Sequence, residues 1–279
     1  MPPLQAFVVV TGGSEGIGFA IAHRFARRGQ HVLLVARRQG RLDVAAGEIR
    51  ARPGVALPSG VHVLTLALDI CDPGAAGLIE SFLSEHGGYV ETLVNCAGIG
   101  LSGAFDGHQP EAIERLLTLN VLALTQVTRH FIPAMRARRG GGILTVASLG
   151  GAIPGPYQAV YYASKAYALS LSEAIAAEVA RDGVRVTVVA PGPVATGFHA
   201  RMRAQHSLYR RLLPTLTAET VAHWSVLAYS LGLRSVTPGF VNTVLYVCLR
   251  ILPHRIVIPM VAFLLRPRGL EARDARRTE

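Results

Sequence analysis

The sequence predicts an α/β protein built on a doubly wound parallel sheet, with helices on both faces and a hydrophobic helical appendage at the C-terminal end. Short runs rich in β-branched residues alternate with longer segments of helical periodicity along most of the 279 residues. These runs are apolar throughout, as expected of parallel strands that are buried on both faces. Neither an internal repeat nor a Pro/Ser-rich linker divides the chain, so we expect one large domain that carries the appendage.

The elements follow one another in the order that such a sheet requires. Strands are predicted at 6–11, 31–36, 61–68, 91–95, 142–147 and 184–190. Helices are predicted between them at 16–29, 40–51, 74–86, 110–138 and 158–181. The helix ends agree with these bounds, because Arg136, Arg138 and Arg139 place cations on the last carbonyls before a run of glycines, and Asp182-Gly183 follows the last helix.

The composition excludes several classes of protein. Half of the residues are hydrophobic and 16% are charged, which excludes a disordered chain. Cys71, Cys96 and Cys248 form neither a disulfide framework nor a metal-ligand spacing, so we expect a reducing, cytoplasmic compartment and no metal. The net charge of +10 is dispersed, and no basic–aromatic patch indicates a nucleic acid partner. No targeting peptide or membrane-spanning stretch is expected, since no apolar run is long enough.

A glycine-rich turn follows the first predicted strand and opens the first helix. It reads Thr11-Gly-Gly-Ser-Glu-Gly-Ile-Gly18, with glycines at 12, 16 and 18. Such a turn lets backbone N–H groups and a helix N-terminus approach a pyrophosphate, and the position in the first strand–helix unit favours a dinucleotide site over a plain tight turn.

The end of the second strand bears on the choice of dinucleotide. Sites for NAD usually carry an acidic residue there for the ribose 2′-OH. This chain has Arg37 and Arg38 instead, and a guanidinium suits a 2′-phosphate. We therefore favour NADP(H) over NAD(H), although solvated arginines at a helix start are the alternative in an Arg-rich chain.

One lysine stands among 27 arginines, and its surroundings indicate acid–base chemistry. Lys165 lies four residues after Tyr161 in a helical pattern, so both side chains project from one face. An ammonium beside a phenol is expected to lower the pKa of the phenol, which would make Tyr161 a general acid/base. Ser148 ends a strand and could hydrogen-bond the substrate oxygen. Tyr157, Tyr162 and Ser164 are the competing choices, but they lack this combination of position and chemistry.

Together these motifs resemble the short-chain dehydrogenase/reductase family, with matches from residue 6 to about 197. The resemblance implies a Rossmann-like fold and adds Asp69 near the adenine, an Asn95-Cys96-Ala97-Gly98 turn and an active-site Asn120. It also adds a Pro191-Gly192-Pro-Val194-Ala-Thr196 turn at the nicotinamide. The implied cofactor-binding residues are Thr11, Gly12, Ser14, Gly16, Ile17, Gly18, Arg37, Arg38, Asp69, Asn95, Ala97, Gly98, Tyr161, Lys165, Pro191, Gly192, Val194 and Thr196.

The resemblance also implies a mechanism in which a hydride passes from NADPH to a ketone carbon while Tyr161 protonates the oxygen. Ser148 would steady the carbonyl and Lys165 would bind the nicotinamide ribose. Asn120 would hold a water that connects Lys165 to solvent.

The C-terminal part of the chain bears on the substrate. We expect a catalytic domain over 1–235, with a variable substrate lid at about 197–235, and an extension over 236–279. The lid includes Arg201, Arg203, Arg210 and Arg211, which suit a phosphate-bearing carrier or an anionic headgroup unless they are ordinary solvated arginines. Two apolar pieces within 240–265 are too short to span a bilayer and suit an interfacial hairpin flanked by Arg266 and Arg268. The alternative is a helix pair packed on the body or in a subunit interface.

Lid and extension together are similar to the branch that includes 3-ketodihydrosphingosine reductases and long-chain 3-oxoacyl reductases. We therefore expect an NADPH-dependent carbonyl reductase for a lipophilic, long-chain 3-oxo substrate, with peripheral membrane contact through 240–268 on the inner face of a membrane. The alternatives are an enzyme for a steroid, polyketide or other small ketone, and a non-catalytic NADP-binding sensor. The resemblance further implies a homodimer through the helices at 110–138 and 158–181.

Overall fold

A parallel sheet forms the centre of the molecule. The computed structural model describes residues 4–51, 57–202, 208–209 and 213–266. Within these residues there are seven parallel strands. In chain order, β1 to β7 are Gln5–Thr11, His31–Ala36, Val63–Ala67, Gly88–Asn95, Gly142–Val146, Arg185–Val189 and Ser235–Val236. Their order across the sheet is β3-β2-β1-β4-β5-β6-β7. The predicted doubly wound parallel sheet is therefore confirmed.

The order of the strands reverses between β1 and β4, which are neighbours at the centre of the sheet. Thr11 pairs with Asn95 at the carboxyl ends of these two strands. Ligands of open α/β sheets bind in the crevice at such a reversal, beyond the carboxyl ends of the strands. The fold thus places the predicted glycine turn and the Asn95–Gly98 turn side by side.

The apolar strands are buried because helices cover both faces of the sheet. Val8 and Val10 pack with the helices Gly16–Arg27 and Ala218–Ser230 on one face. Phe7 and Val9 pack with helices on the other face, among them Leu124–Arg138. The alternation of strand residues between two separate cores explains why these runs are continuously apolar.

The helices agree with the sequence in position and differ in two details. Their bounds are Gly16–Arg27, Gln39–Ala51, Ala75–Glu85, Pro110–Leu117, Leu124–Arg138, Ala159–Glu178, Phe198–Arg201, Ala218–Ser230, Phe240–Ile251 and His254–Leu265. The helical stretch predicted at 110–138 is confirmed, but Thr118–Ala123 within it is a π-helical segment between two α-helices. Arg139 follows the last helical residue, and its φ of 51° places an arginine rather than a glycine in the left-handed region.

Part of the predicted lid belongs to the body of the protein. Val221 and Val226, on the helix Ala218–Ser230, are fully buried. Val236 pairs with Val189 and so forms the short seventh strand, which the sequence analysis did not predict. The predicted lid cations Arg203, Arg210 and Arg211 lie outside the described residues, as does Arg268.

The helices Phe240–Ile251 and His254–Leu265, here called the C-terminal helix pair, pack on the body with one face. Leu249, Val257 and Val261 are buried in a third apolar cluster that also contains Ala147 and Leu169. This packing corresponds to the alternative in which the apolar pieces cover the body. Of the described helices, none has both the length and the apolar content needed to cross a membrane.

Candidate active site

The glycine turn forms a bare backbone cradle at the start of the first helix. Gly12 and Gly16 have φ values of 67° and 59°, a region that favours glycine. A Cβ atom on Gly18 would collide with the carbonyl oxygen of Gly12. Glu15 precedes the helix Gly16–Arg27 and makes no side-chain cap. The helix N-terminus can therefore receive an anion such as a pyrophosphate, and these residues fit a dinucleotide.

Thr11 connects this turn to the turn after β4. Its Oγ1 donates to the carbonyl oxygen of Val94 at 3.1 Å, and it accepts from the backbone N–H of Cys96 at 3.1 Å and of Ala97 at 3.3 Å. Asn95 donates to Thr128 Oγ1 at 2.8 Å. Thr11 thus joins the two turns, and Asn95 ties the end of β4 to the helix Leu124–Arg138.

Tyr161, Lys165 and Ser148 meet beside these turns. Tyr161 and Lys165 are 9% and 8% exposed on the helix Ala159–Glu178, and the Lys165 Nζ atom lies 5.9 Å from the centroid of the Tyr161 ring. Lys165 donates to the carbonyl oxygen of Val146 at 3.1 Å. Ser148 follows β5, and its Oγ accepts from the N–H of Gly150 at 3.1 Å. The Ser148 side chain also interacts with the Tyr161 phenol, and this interaction favours a lower pKa of Tyr161.

Burial dominates the pKa values of this cluster. It raises the pKa of Tyr161 to about 12, against the opposing effect of the Ser148 side chain. It lowers the pKa of Lys165 to about 8, against a smaller opposing effect of Cys96. The pKa of Tyr161 is thus raised where the spacing of Tyr161 and Lys165 led us to expect a lowered one, because burial of the phenol dominates and the Lys165 ammonium is directed at Val146. Tyr161 holds its proton across the physiological range and is prepared as an acid.

Asn120 lies in the π-helical segment behind Lys165. Its Nδ2 donates to the carbonyl oxygen of Ile99 at 2.8 Å and to Ser164 Oγ at 3.1 Å, and its Oδ1 accepts from the N–H of Ile99 at 3.0 Å. A Cβ atom on Gly98 would lie 3.3 Å from Asn120 Oδ1 and 3.6 Å from Lys165 Nζ. Asn120 thus fixes the strand-end turn against the helix that carries Tyr161 and Lys165. The wider π turn is a local feature often found at functional sites.

The predicted cations for a 2′-phosphate lie at the edge of this region. Arg37 and Arg38 are exposed after β2. Arg37 Nη1 lies 3.9 Å from Asp69 Oδ2, and Asp69 Oδ1 accepts from the N–H of Cys71 at 3.1 Å. In the part of the chain that the structure describes, no ion pair involves Arg38.

A cavity of about 930 Å³ joins most of the predicted site residues. The predicted residues that line it are Gly12, Ser14, Gly16, Ile17, Gly18, Ala97, Gly98, Ser148, Tyr161, Lys165, Pro191, Gly192, Val194 and Thr196. Thr11, Asn95 and Asn120 support the walls from behind, and Arg37, Arg38 and Asp69 lie outside the cavity.

The sequence profile of the short chain dehydrogenase family matches residues 6–207. The chain belongs to this family. Its curated relatives include the 3-ketodihydrosphingosine reductase of Bos taurus, 34% identical over 215 residues that cover 76% of this chain and 64% of the relative. The very-long-chain 3-oxoacyl-CoA reductase of Anas platyrhynchos is 35% identical over 199 residues, which cover 70% of this chain and 62% of the relative. The chain spans 59% of the length of several curated relatives that it matches.

Solved structures of other short-chain dehydrogenases share the fold and hold nicotinamide cofactors. A short-chain dehydrogenase from Sphingobium yanoikuyae in complex with NADPH is 31% identical, with a TM-score of 0.75, over 84% of this chain and 88% of that one. Complexes with NADH also occur among the similar structures. These comparisons confirm the predicted family and support an NAD(P)-dependent oxidoreductase, while leaving the choice between the two cofactors open.

The site also contains residues outside the predicted catalytic and cofactor-binding set, some of them in the predicted lid. The Phe198 ring lies 5.6 Å from the Tyr161 ring, and Met202 is buried against Tyr161. Glu15 binds Arg41 and Arg201 at 2.8 Å each and so joins the glycine turn to the short helix Phe198–Arg201. The C-terminal helix pair supplies the far wall of the cavity. That wall contains Leu245, Leu249, Met260, Val261, Leu264 and Leu265. Only the hydrophobic character of these segments signalled such a role.

Proposed function

We propose that the protein is an NADPH-dependent reductase of a lipophilic, long-chain 3-oxo compound. The observation that carries this proposal is that Tyr161, which burial keeps protonated, lines the same cavity as Ser148 and the apolar side chains of the C-terminal helix pair. The cofactor supplies a hydride, that is, two electrons and a proton, to the ketone carbon. Tyr161 supplies the second proton to the ketone oxygen, so that a secondary alcohol is formed.

The neighbouring side chains have distinct parts in this proposal. Ser148 donates to the ketone oxygen as negative charge develops there. Lys165, whose pKa of about 8 keeps it mostly protonated at neutral pH, holds the ribose next to the nicotinamide and replaces the proton lost from Tyr161. Asn120 holds the Gly98 turn against the helix that carries Lys165 through its bonds to Ile99 and Ser164. The glycine turn would bind the pyrophosphate of the cofactor, and the Pro191–Thr196 turn would bind its nicotinamide.

The preference for NADPH rests on charge. Arg37 and Arg38 follow β2, where a carboxylate would be needed to favour the 2′-OH of NAD. Asp69 engages Arg37 only at 3.9 Å, and both groups are exposed, so this pair contributes little and leaves the guanidinium able to turn to a phosphate.

The substrate class rests on the lining of the cavity. The volume of about 930 Å³ includes the glycine turn, where the cofactor would lie, and aliphatic side chains from the C-terminal helix pair line the same cavity. The names of two relatives, a 3-ketodihydrosphingosine reductase and a very-long-chain 3-oxoacyl-CoA reductase, support a long-chain 3-oxo substrate.

The deciding experiment is NADPH oxidation over a panel of 3-oxo lipids of increasing chain length, with short ketones and steroids for comparison. We expect kcat/KM to rise with chain length and Tyr161→Phe to lose activity by at least about 100-fold. Tyr167→Phe, in a tyrosine outside the cavity that hydrogen-bonds Thr125, is the matched control and should keep it. A preference for compact ketones would favour the alternative substrates. Cofactor binding with no turnover of any ketone would favour the sensor.

Two further features belong to this proposal. Residues 1–235 carry the reaction, while 236–279 form an extension that makes peripheral contact with the cytoplasmic face of a membrane through 240–268.

The protein is a homodimer through the helices around 110–138 and 158–181. Leu117, Leu122 and Tyr167 support this assignment, since each is more than a third exposed on those elements. Light scattering of the purified protein tests the dimer, which Leu122→Arg should weaken.

A further inference from the structure

The C-terminal helix pair has an exposed apolar face as well as a buried one. Nineteen large apolar side chains are exposed among the described residues, and nine of them lie between Phe240 and Phe263. These nine, here called the outer face, are Phe240, Val241, Val244, Val247, Ile251, Leu252, Ile256, Met260 and Phe263. Exposed apolar side chains concentrated on one helix pair in this way indicate an interaction site.

The charges around the outer face indicate which partner covers it. Residues 240–266 contain no Asp or Glu, but they contain Arg250, Arg255 and Arg266. Arg250 lies 3.8 Å from Glu173. No ion pair of Arg255 or Arg266 occurs among the described residues. A two-fold contact between copies of this chain would place like charges around the same patch, whereas an anionic bilayer would neutralise them.

The length of the helices fits the same partner. Each helix has 12 residues, which corresponds to about 18 Å and is too short to cross the hydrocarbon core. A helix that is apolar on one side and flanked by arginines instead lies in the interface, with its side chains in the headgroup–acyl boundary.

The same helices separate the bilayer side from the active site. Leu249, Val261 and Leu265 line the cavity that contains Tyr161 and are nearly fully buried. Met260 also lines this cavity, but 45% of it is exposed on the outer face. Met260 is therefore a side chain shared by the cavity wall and the outer face.

We infer that the outer face docks on an anionic bilayer and that the substrate chain enters the cavity from the bilayer beside Met260. The ketone end then reaches Tyr161 while the aliphatic chain lies between the helix pair and the body. The docking specifies the surface and the lipid charge of the membrane contact in the proposed function and does not depend on the reaction, whereas the entry route rests on the proposed long-chain substrate.

Sedimentation with phosphatidylcholine vesicles, with and without phosphatidylglycerol, tests the docking. We expect the full-length protein to bind the anionic vesicles, and we expect Val247→Glu/Ile256→Glu to weaken binding about tenfold or more. Leu78→Glu/Leu231→Glu is the matched control, because both leucines are at least half exposed but lie on other elements.

Circular dichroism and thermal melts establish that each variant is folded. Equal loss in both pairs, or no binding by the unchanged protein, would overturn the docking. Self-association lost in Val247→Glu/Ile256→Glu alone, without vesicle binding, would assign the face to a second copy.

The entry route is tested with one long-chain 3-oxo lipid, presented in vesicles or in detergent, and one short water-soluble 3-oxo ester. Val247→Glu/Ile256→Glu should slow the vesicle reaction about tenfold and should not slow the detergent reaction. Met260→Trp should lower the ratio of long-chain to short-chain kcat/KM about tenfold. Unchanged ratios would overturn the route. Failure of the unchanged protein to reduce either ketone would overturn the proposed function and with it the route, but not the docking, which the vesicles test separately.

Discussion

Lys165 donates a hydrogen bond to the carbonyl oxygen of Val146 at 3.1 Å, inside the protein and one helical turn from Tyr161. The single lysine of the chain is therefore a buried cation whose partner in this structure is a neutral backbone oxygen. This arrangement holds the ammonium near the reacting tyrosine, but it costs stability, because a buried charge without a counter-ion is poorly solvated.

The first prediction follows from that cost. The pKa of Lys165 is lowered from 10.5 to about 8, so between these values the unfolded chain binds more protons than the folded one. The stability of the protein should therefore rise with pH across this window, and the penalty should be complete below about pH 8. Lys165→Met should raise the Tm by a few degrees at pH 7, with a smaller difference toward pH 10, and should abolish turnover. Differential scanning calorimetry measures this, and a lower Tm at pH 7 would contradict it.

A second prediction concerns Asn120. Asn120→Ala removes the partners of both backbone groups of Ile99 and the donor to the Ser164 hydroxyl, which keeps its bond to the Tyr161 carbonyl oxygen, so we expect a loss of about 1–3 kcal/mol in the free energy of unfolding. Activity should fall further than this loss of stability explains, because the same contacts hold the Gly98 turn against the helix that carries Lys165. Ser164→Ala removes one of these three bonds and the bond to the Tyr161 carbonyl oxygen but leaves both bonds to Ile99, so it serves as the control in urea titrations and should keep most of the activity. Equal effects of the two variants would show that the bonds to Ile99 are unimportant.

The sequence predicted the fold well where a pattern repeats and less well where one residue breaks it. Continuous apolar runs located the central strands, and the spacing of Tyr161 and Lys165 placed both on one face of a helix. The π turn at Asn120 was not predicted, because one extra residue in a turn hardly changes helical periodicity over 110–138. The two-residue strand at Val236 is too short to give a pattern.

The candidate site was predicted only in part, and the reasons are similar to those for the fold. Motif residues of the cofactor turns were found, because glycine and proline spacings are local in the chain. The pKa of Tyr161 was expected to fall, whereas burial raises it. The spacing between Tyr161 and Lys165 can be derived from the sequence, but the depth of burial cannot. The contribution of Leu249 and Met260 to the cavity also depends on tertiary packing between segments that lie far apart in the chain.

Cofactor choice gives a third prediction. Arg38→Ala should raise the KM for NADPH about tenfold and leave the KM for NADH nearly unchanged, since only NADPH carries the 2′-phosphate. Arg37→Ala should act in the same direction but more weakly, because that guanidinium is already shared with Asp69. Steady-state kinetics with both cofactors measures the effect. Parallel changes for NADPH and NADH would place these arginines outside the phosphate site.

The Glu15 bridge gives a fourth prediction. Glu15 binds Arg201 and Arg41 at 2.8 Å each, but all three side chains are substantially exposed, so each pair is worth at most about 1 kcal/mol. Glu15→Gln should therefore raise the KM for the ketone only about two- to fivefold at low salt, and the difference should vanish at high salt. Arg201→Gln should reproduce this effect, whereas Arg41→Gln should not, because Arg41 lies away from the lid. A salt-independent effect would point to a role of Glu15 other than this bridge.

The last prediction links the cofactor turn to the C-terminal helix pair. A Cβ atom on Gly192 would lie 2.6 Å from Oδ1 of Asn242, a side chain that is 1% exposed and donates from Nδ2 to the carbonyl oxygen of Pro238 at 3.0 Å. Because Asn242 is held there, Gly192→Ala should displace either the turn or the helix and destabilise the protein by about 1–3 kcal/mol. The backbone of Gly192 does not have a positive φ, so lack of space is the expected cause.

The double variant Gly192→Ala/Asn242→Ala should then recover much of the stability and the affinity for NADPH, although Asn242→Ala alone destabilises the protein. A double-mutant cycle of urea unfolding measures this coupling. Additive losses would show that the turn and the helix respond independently, and that the collision between these two residues does not explain the effect of Gly192→Ala.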